Sequence, residues 1–185
     1  MAHSSDRVDE YVDAVLSGDI VAGPHVRNGC KRHLKDLKRR AFAFDKDSAA
    51  HIIDYFEEVL CLGEGQFDGL PFNLDISQAF NLGSVFGWKV AKTGRRRFRR
   101  WYLEEGKGNG KSPLLAGVGL YGMTADDEKG AQVYSAAATK EQASVIFQDA
   151  VRMTASSPML AKRITKSGRT PAWHPPPLTP ESFFP

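Results

Sequence analysis

The sequence predicts an α/β chain, with a helical N-terminal region followed by the start of a parallel sheet that is incomplete at its C-terminus. Three observations predict it. Apolar residues recur at helical spacing between Asp6 and Leu60. A glycine-rich loop, Gly106 to Ser112, lies between an apolar strand candidate and an apolar helix candidate. A second strand and helix follow, and consecutive strand–helix pairs favour a parallel sheet with right-handed crossovers.

The elements follow in order. Val8, Tyr11, Val12, Val15 and Leu16 predict a helix over Asp6 to Leu16 with Ser5 as its cap. Pro24 opens a basic helix, His25 to Arg40, whose Val26, Leu34 and Leu37 form a thin apolar stripe with Cys30. In the next helix Asp47 or Ser48 caps, and Ala49, Ile52, Ile53, Phe56, Val59 and Leu60 form a wide apolar face ending at Gly63. Between Phe67 and Trp88, Ile76, Phe80, Val85 and Phe86 suit a core-packed short helix that carries Gln78. Phe98 to Leu103 reads as a strand, and Pro113 to Met123 as an apolar helix. Ala131 to Ala138 is a second strand with side chains small enough to be buried. The helix after it starts at Thr139, with Gln142 three residues on as a capping-box partner.

Gly108, Asn109, Gly110, Lys111 and Ser112 carry the sharpest chemistry. Holding a polyphosphate needs inward-turned backbone N–H groups, a lysine for the β and γ oxygens and a hydroxyl for the accompanying Mg²⁺. Strand, loop and helix stand in the required order, and Pro113 falls in the first helical turn, where a missing N–H costs nothing. The segment departs from the full GxxxxGK[ST] pattern: Glu105 occupies the first glycine position, and Gly106 comes one residue later.

Composition sets milder bounds. With 185 residues and a net charge of +3, the chain can build a sizeable core. Seven cations and no carboxylate lie between Lys89 and Arg100. Of these, Arg95, Arg96, Arg97, Arg99 and Arg100, interleaved with Phe98, are candidates for contact with a phosphate backbone. Cys30 and Cys61 are too few for a disulfide framework, and the five histidines read as solvated helix-face residues without metal-ligand spacing. No apolar run approaches membrane-spanning length and the N-terminus is not a signal peptide, so a cytoplasmic location in a host cell is expected.

Several segments in order resemble the N-terminal part of the ATPase domain of tailed-bacteriophage terminase large subunits. They are Ile20 to Arg27 with Arg32 to Leu37, Pro71 to Gln78 with Gly83 to Trp88, Arg96 to Tyr102, the Gly108 to Ser112 loop, and Val133 to Ala143. The resemblance implies a P-loop NTPase sheet and an ATP-driven motor that packages DNA. It also implies ATP and Mg²⁺ as cofactors, with double-stranded phage DNA, a terminase small subunit and a portal as partners, and no membrane. Gln78 would read adenine, Gly106 to Ser112 would bind nucleotide, Ser112 would hold Mg²⁺, and Lys107 would stand where many relatives place a catalytic arginine. An acidic pair at the end of an apolar strand is not found: Asp126, Asp127 and Glu128 read as a solvated turn, and Asp149 lies within a helix.

The expected organisation is therefore a helical region over 1–66, a partial ATPase domain over 67–164 and a tail over 165–185. That tail holds six of the ten prolines and suits disorder or polyproline structure. The expectation is of a truncated prophage form without a nuclease domain, weak or inactive in hydrolysis. The alternatives are a basic DNA-binding or adaptor remnant that turns over no nucleotide, and another P-loop enzyme such as a small-molecule kinase.

Overall fold

The computed structural model describes residues 3–128, 130–164, 166–167 and 172–173. The chain divides into two compact units. One comprises Met1–Asp54 with Leu74–Tyr102, and the other Tyr55–Asn73 with the described part of Leu103–Pro185.

In the first unit, α1 (Asp6–Ser17) buries Val8, Tyr11, Val12 and Val15, whose three- and four-residue spacing puts them on one face. The helix is the predicted one, but Ser5 does not cap it. Ser5 is itself helical, and its buried hydroxyl is bonded to Nδ1 of His3 at 2.6 Å. α3 (Lys46–Asp54) is capped by neither Asp47 nor Ser48. Instead Asp45 accepts from the N–H of Ser48 at 3.0 Å and from its hydroxyl at 2.7 Å. α4 (Ile76–Gly87) packs between α1 and α3, and its glycines permit the approach. A Cβ on Gly83 would stand 2.5 Å from Val8, and one on Gly87 would stand 2.9 Å from Ala49. β1 (Phe42–Phe44) and β2 (Trp88–Val90) form an antiparallel pair with Phe44 opposite Trp88.

The basic helix α2 (Pro24–Leu37) inverts the expected pattern. Its buried residues are Cys30, His33 and Asp36, whereas Val26, Leu34 and Leu37 stand substantially exposed. Two partnerships make this possible, because buried polar groups must be paired. The Asp36 carboxylate is met by Arg97 at 2.5 Å and by Arg39 at 3.3 Å. Burial would raise the Asp36 pKa, yet the two guanidinium groups hold it below the usual carboxylate range. Arg97 is also stacked on Phe42, its guanidinium carbon 3.8 Å from the ring centre. His33, read from sequence as solvated, is 3% exposed and accepts from the indole N–H of Trp88 at 3.2 Å.

In the second unit, a π-helical turn, Tyr55–Val59, continues the chain from α3, and α5 (Lys111–Thr124), α6 (Lys140–Ser156) and α7 (Pro158–Ala161) follow. α5 packs on α6. The wide apolar face expected from Ala49 to Leu60 is buried throughout. Thr139 caps α6 by accepting from the N–H of Gln142 at 3.3 Å, but no reciprocal bond completes a capping box there. The complete box is at α4, where Asp75 and Gln78 bond each other's backbone.

Neither predicted strand of the parallel sheet forms. Arg97 donates from its backbone to Trp88, Lys89 and Arg96 make one antiparallel bridge, and no ladder continues over Phe98 to Leu103. Ala131 to Ala138 runs without a strand partner, with Val133 half-exposed and Tyr134 81% exposed. A strand exists only as a hydrogen-bonded pair, and among the described residues neither segment has one. The fold observed is mixed α/β with small antiparallel pairs. Within 165–185 the described residues form one such pair, Lys166 opposite Trp173 and Ser167 opposite Ala172. The expectation of disorder for the remaining residues lies outside the described ones.

His33 makes the first unit sensitive to acid. Because Trp88 donates to Nδ1, the neutral ring carries its proton on Nε2, 3.4 Å from the Asp9 carboxylate. Desolvation is the largest influence and moves the His33 pKa below its ordinary value of 6.5, against the pull of Asp9 and Asp36. The unfolded chain then takes up the proton first as the pH falls, so this contribution to stability is complete above about pH 6.5 and declines below it. Thermal melts between pH 7.5 and 5 should show a falling Tm, and His33→Gln should flatten the slope. An equal slope in the variant would assign the acid sensitivity to other groups.

Candidate nucleotide-binding site

The loop before α5 is shaped by two glycines. Gly108 has φ of +91° and Gly110 has φ of +72°, a left-handed conformation that costs other residues roughly 1–2 kcal/mol. Gly110 is the N-cap of α5, and the first helical bond runs from the N–H of Leu114 to the carbonyl of Gly110 at 3.0 Å. The N–H groups of Gly108, Gly110, Lys111 and Ser112 have no acceptor among the described residues, and Pro113 has none to offer. Unpaired donors at a helix N-terminus, together with the helix dipole, form a receptor for an anion.

Lys111 folds back over this loop. Its ammonium donates to the carbonyl oxygens of Glu105 at 2.6 Å and Gly106 at 2.8 Å, placing a positive charge beside the unpaired donors. Lys107, Gly108 and Asn109 are exposed, and Ser112 is half-buried. The Ser112 hydroxyl makes no hydrogen bond among the described residues. The residues thus fit a magnesium polyphosphate: donors and one ammonium for the phosphate oxygens, and an uncommitted hydroxyl for the cation.

A packed platform holds α5 in place. A Cβ on Gly117 would lie 2.5 Å from the Phe56 ring, so the helix approaches the π-helical turn through a position that only glycine fills. Thr124 donates its hydroxyl hydrogen to the carbonyl of Leu120, so in the 2.7 Å contact with Tyr55 the phenol is the donor. Burial pushes the phenol of Tyr55 far above its ordinary pKa. Between α6 and α7, Ser157 donates to the carbonyl of Val59 at 2.6 Å. Sequence reasoning missed this platform because its hydrogen bonds join segments far apart in the chain.

The other expected site residues are distributed as follows. Gln78 lies in the first compact unit, in the first turn of α4, where its amide oxygen accepts from the N–H of Asp75 at 3.1 Å. Its amide NH₂ makes no bond among the described residues. Of the arginine run, Arg97 is committed to Asp36 and Arg96 lies over the ring of Phe86, while Arg95, Arg99 and Arg100 are exposed. Asp127 and Glu128 are exposed, as expected. Asp149 is buried, which pushes its pKa above the usual carboxylate range despite the pull of Arg152 at 2.5 Å. No cluster of three metal-ligating side chains occurs among the described residues, and none of their helices is long and apolar enough to cross a membrane.

These features define a mixed α/β protein with an anion-receptive, lysine-closed loop at a helix N-terminus. The family model for the terminase large subunit ATPase domain matches residues 77–171, more than half of the chain. The chain belongs to that family. No curated protein and no solved structure gives a significant match.

The platform predicts a sharp steric limit. Gly117→Ala should destabilise the chain by roughly 1–3 kcal/mol through overpacking, read as a lowered Tm, whereas Gly119→Ala, whose Cβ would meet only Val133 at 3.4 Å, should cost less. Equal losses would contradict the close approach of Phe56.

Proposed function

We propose that this chain is the nucleotide-binding part of a motor that drives phage DNA into its capsid, with Mg·ATP held at residues 106–112. One observation carries the reading. Within the segment matched by the terminase ATPase domain, unpaired backbone donors, a helix N-terminus and a lysine turned into its own loop coincide.

Each residue then has a role. The N–H groups of Gly108, Gly110, Lys111 and Ser112 bind phosphate oxygens, assisted by Gly106 and Asn109, which let the loop close. Lys111 exchanges its two carbonyl acceptors for the β and γ oxygens. Ser112 would hold Mg²⁺ through its hydroxyl, and the ion would supply charge neutralisation at the phosphate oxygens. Lys107 adds a mobile positive charge without the planar fork of an arginine. Gln78 is assigned to the adenine edge by the family resemblance alone; within the first unit its amide oxygen caps Asp75. Arg95, Arg99 and Arg100 are the exposed cations for duplex phosphate, while Arg96 and Arg97 serve the fold. Double-stranded DNA, a small subunit and a portal are the partners of such a motor.

Turnover is expected to be slow. Orienting the attacking water and holding the metal call for a carboxylate pair, and Asp126 to Glu128 form a turn while Asp149 is buried against Arg152.

Calorimetry with Mg·ATP tests the reading. The wild-type chain should bind, and Lys111→Ala should weaken binding by about 10- to 100-fold, the loss of a charge-assisted hydrogen bond. Phosphate release should stay near background in both. Equal binding by the two proteins would remove the loop from the account, and rapid release would remove the argument from the missing acidic pair.

A further inference from the structure

Asp36 and Arg97, sixty-one residues apart, join two basic segments into one surface of the first compact unit. Arg32 adds a second link, its guanidinium carbon 5.1 Å from the ring centre of Phe98. Around this junction lies an open groove of about 380 Å³ lined by Lys31, Arg32, Lys35 and Arg39. Its one carboxylate, Asp36, is already met by Arg97 and Arg39. Lys31, Arg32 and Lys35 have no ion-pair partner among the described residues. Their charge is therefore available to an external polyanion.

Arg32 and Asp36 also line a second cavity, of about 250 Å³, with a different chemistry. Phe80, Trp88, Phe98 and Trp101 are among the residues that line it, with the largely exposed Tyr102 at its edge. Asn81 and Ser84, one turn apart on α4, supply polar groups. The hydroxyl oxygen of Ser84 is shielded from solvent and has no hydrogen-bond partner, and the amide of Asn81 makes no bond among the described residues. The half-buried Asn81 amide beside aromatic side chains suits a flat ring with a polar edge. The adjoining cationic groove suits several successive phosphates.

We propose that groove and cavity together bind a single-stranded nucleic-acid segment, its backbone along Lys31, Arg32 and Lys35 and one unpaired base in the aromatic cavity. A base stacked within a duplex cannot enter such a cavity, whereas an unstacked base gains aromatic contacts there and a polar contact at Asn81. Aromatic stacking beside a basic track is the general chemistry of single-strand recognition. The site uses no residue of the 106–112 loop, so it stands or falls separately from nucleotide binding there.

The test is fluorescence anisotropy of a labelled oligothymidylate of roughly 12 nucleotides, within the range of single-strand sites, with the full chain. Binding should weaken with salt, and only single-strand binding should depend on Trp101, because a duplex of equal length meets the exposed Arg95, Arg99 and Arg100 without placing a base in the cavity. Joint substitution Lys31→Glu and Lys35→Glu should cost at least about tenfold. Trp101→Ala should weaken binding comparably and Trp101→Phe restore it, with circular dichroism checking that each variant is folded. Lys111→Ala should bind as the wild type does. Three results would overturn the proposal: no binding; duplex binding as tight as single-strand binding with Trp101→Ala neutral, which makes the surface a backbone groove; or displacement of the strand by stoichiometric Mg·ATP, lost in Lys111→Ala, which assigns the cavity to a free nucleotide.

Discussion

The bond from the Lys111 ammonium to the carbonyls of its own loop is the interaction on which the site depends. It draws the chain from Glu105 to Lys111 into a closed ring, and a ring that small needs the reversals at Gly108 and Gly110. Those reversals leave several N–H groups unpaired, and the same lysine sets a positive charge beside them. The loop from Gly106 to Asn109 is exposed, so these donors are open to an anion from outside the chain. Its persistence rests on α5, which Gly117 seats against Phe56 and which Tyr55 ties through Thr124.

The first unit shows the opposite use of charge. Asp36 and Arg97 neutralise each other inside the fold, stacked against Phe42 and beside the His33–Trp88 bond. A buried pair of this kind brings little net stability but makes the loss of either partner costly, by about 3–5 kcal/mol. It fixes the register between α2 and the chain after β2. The arginine run thereby divides by role: Arg97 belongs to the core, Arg96 to the ring of Phe86, and the remaining three to the surface.

Much of this was legible in the sequence, for physical reasons. α1, α3 and α6 announce themselves through apolar spacing, which a helix cannot satisfy in any other way. The shape of the loop before α5 was legible because left-handed turns and a helix start demand glycine at particular places. The buried face of α2 was not legible, because a pattern of charges signals solvent unless the partner is known, and the partner of Asp36 lies sixty-one residues further on. The cap of α3 was misplaced by two or three residues because Asp45 competes with Asp47 and Ser48, residues of similar capping strength. Phe98 to Leu103 and Ala131 to Ala138 have the composition of strands, but composition supplies only one half of a ladder.

If the donors of the 106–112 loop receive a polyphosphate, amide hydrogen exchange reads it directly at those donors. Exchange with and without Mg·ATP should slow at Gly108, Gly110, Lys111 and Ser112 in the wild-type chain and stay unchanged in Lys111→Ala. Unchanged exchange at those four amides in the wild type, under conditions where nucleotide is bound, would contradict the claim and place the nucleotide elsewhere on the chain.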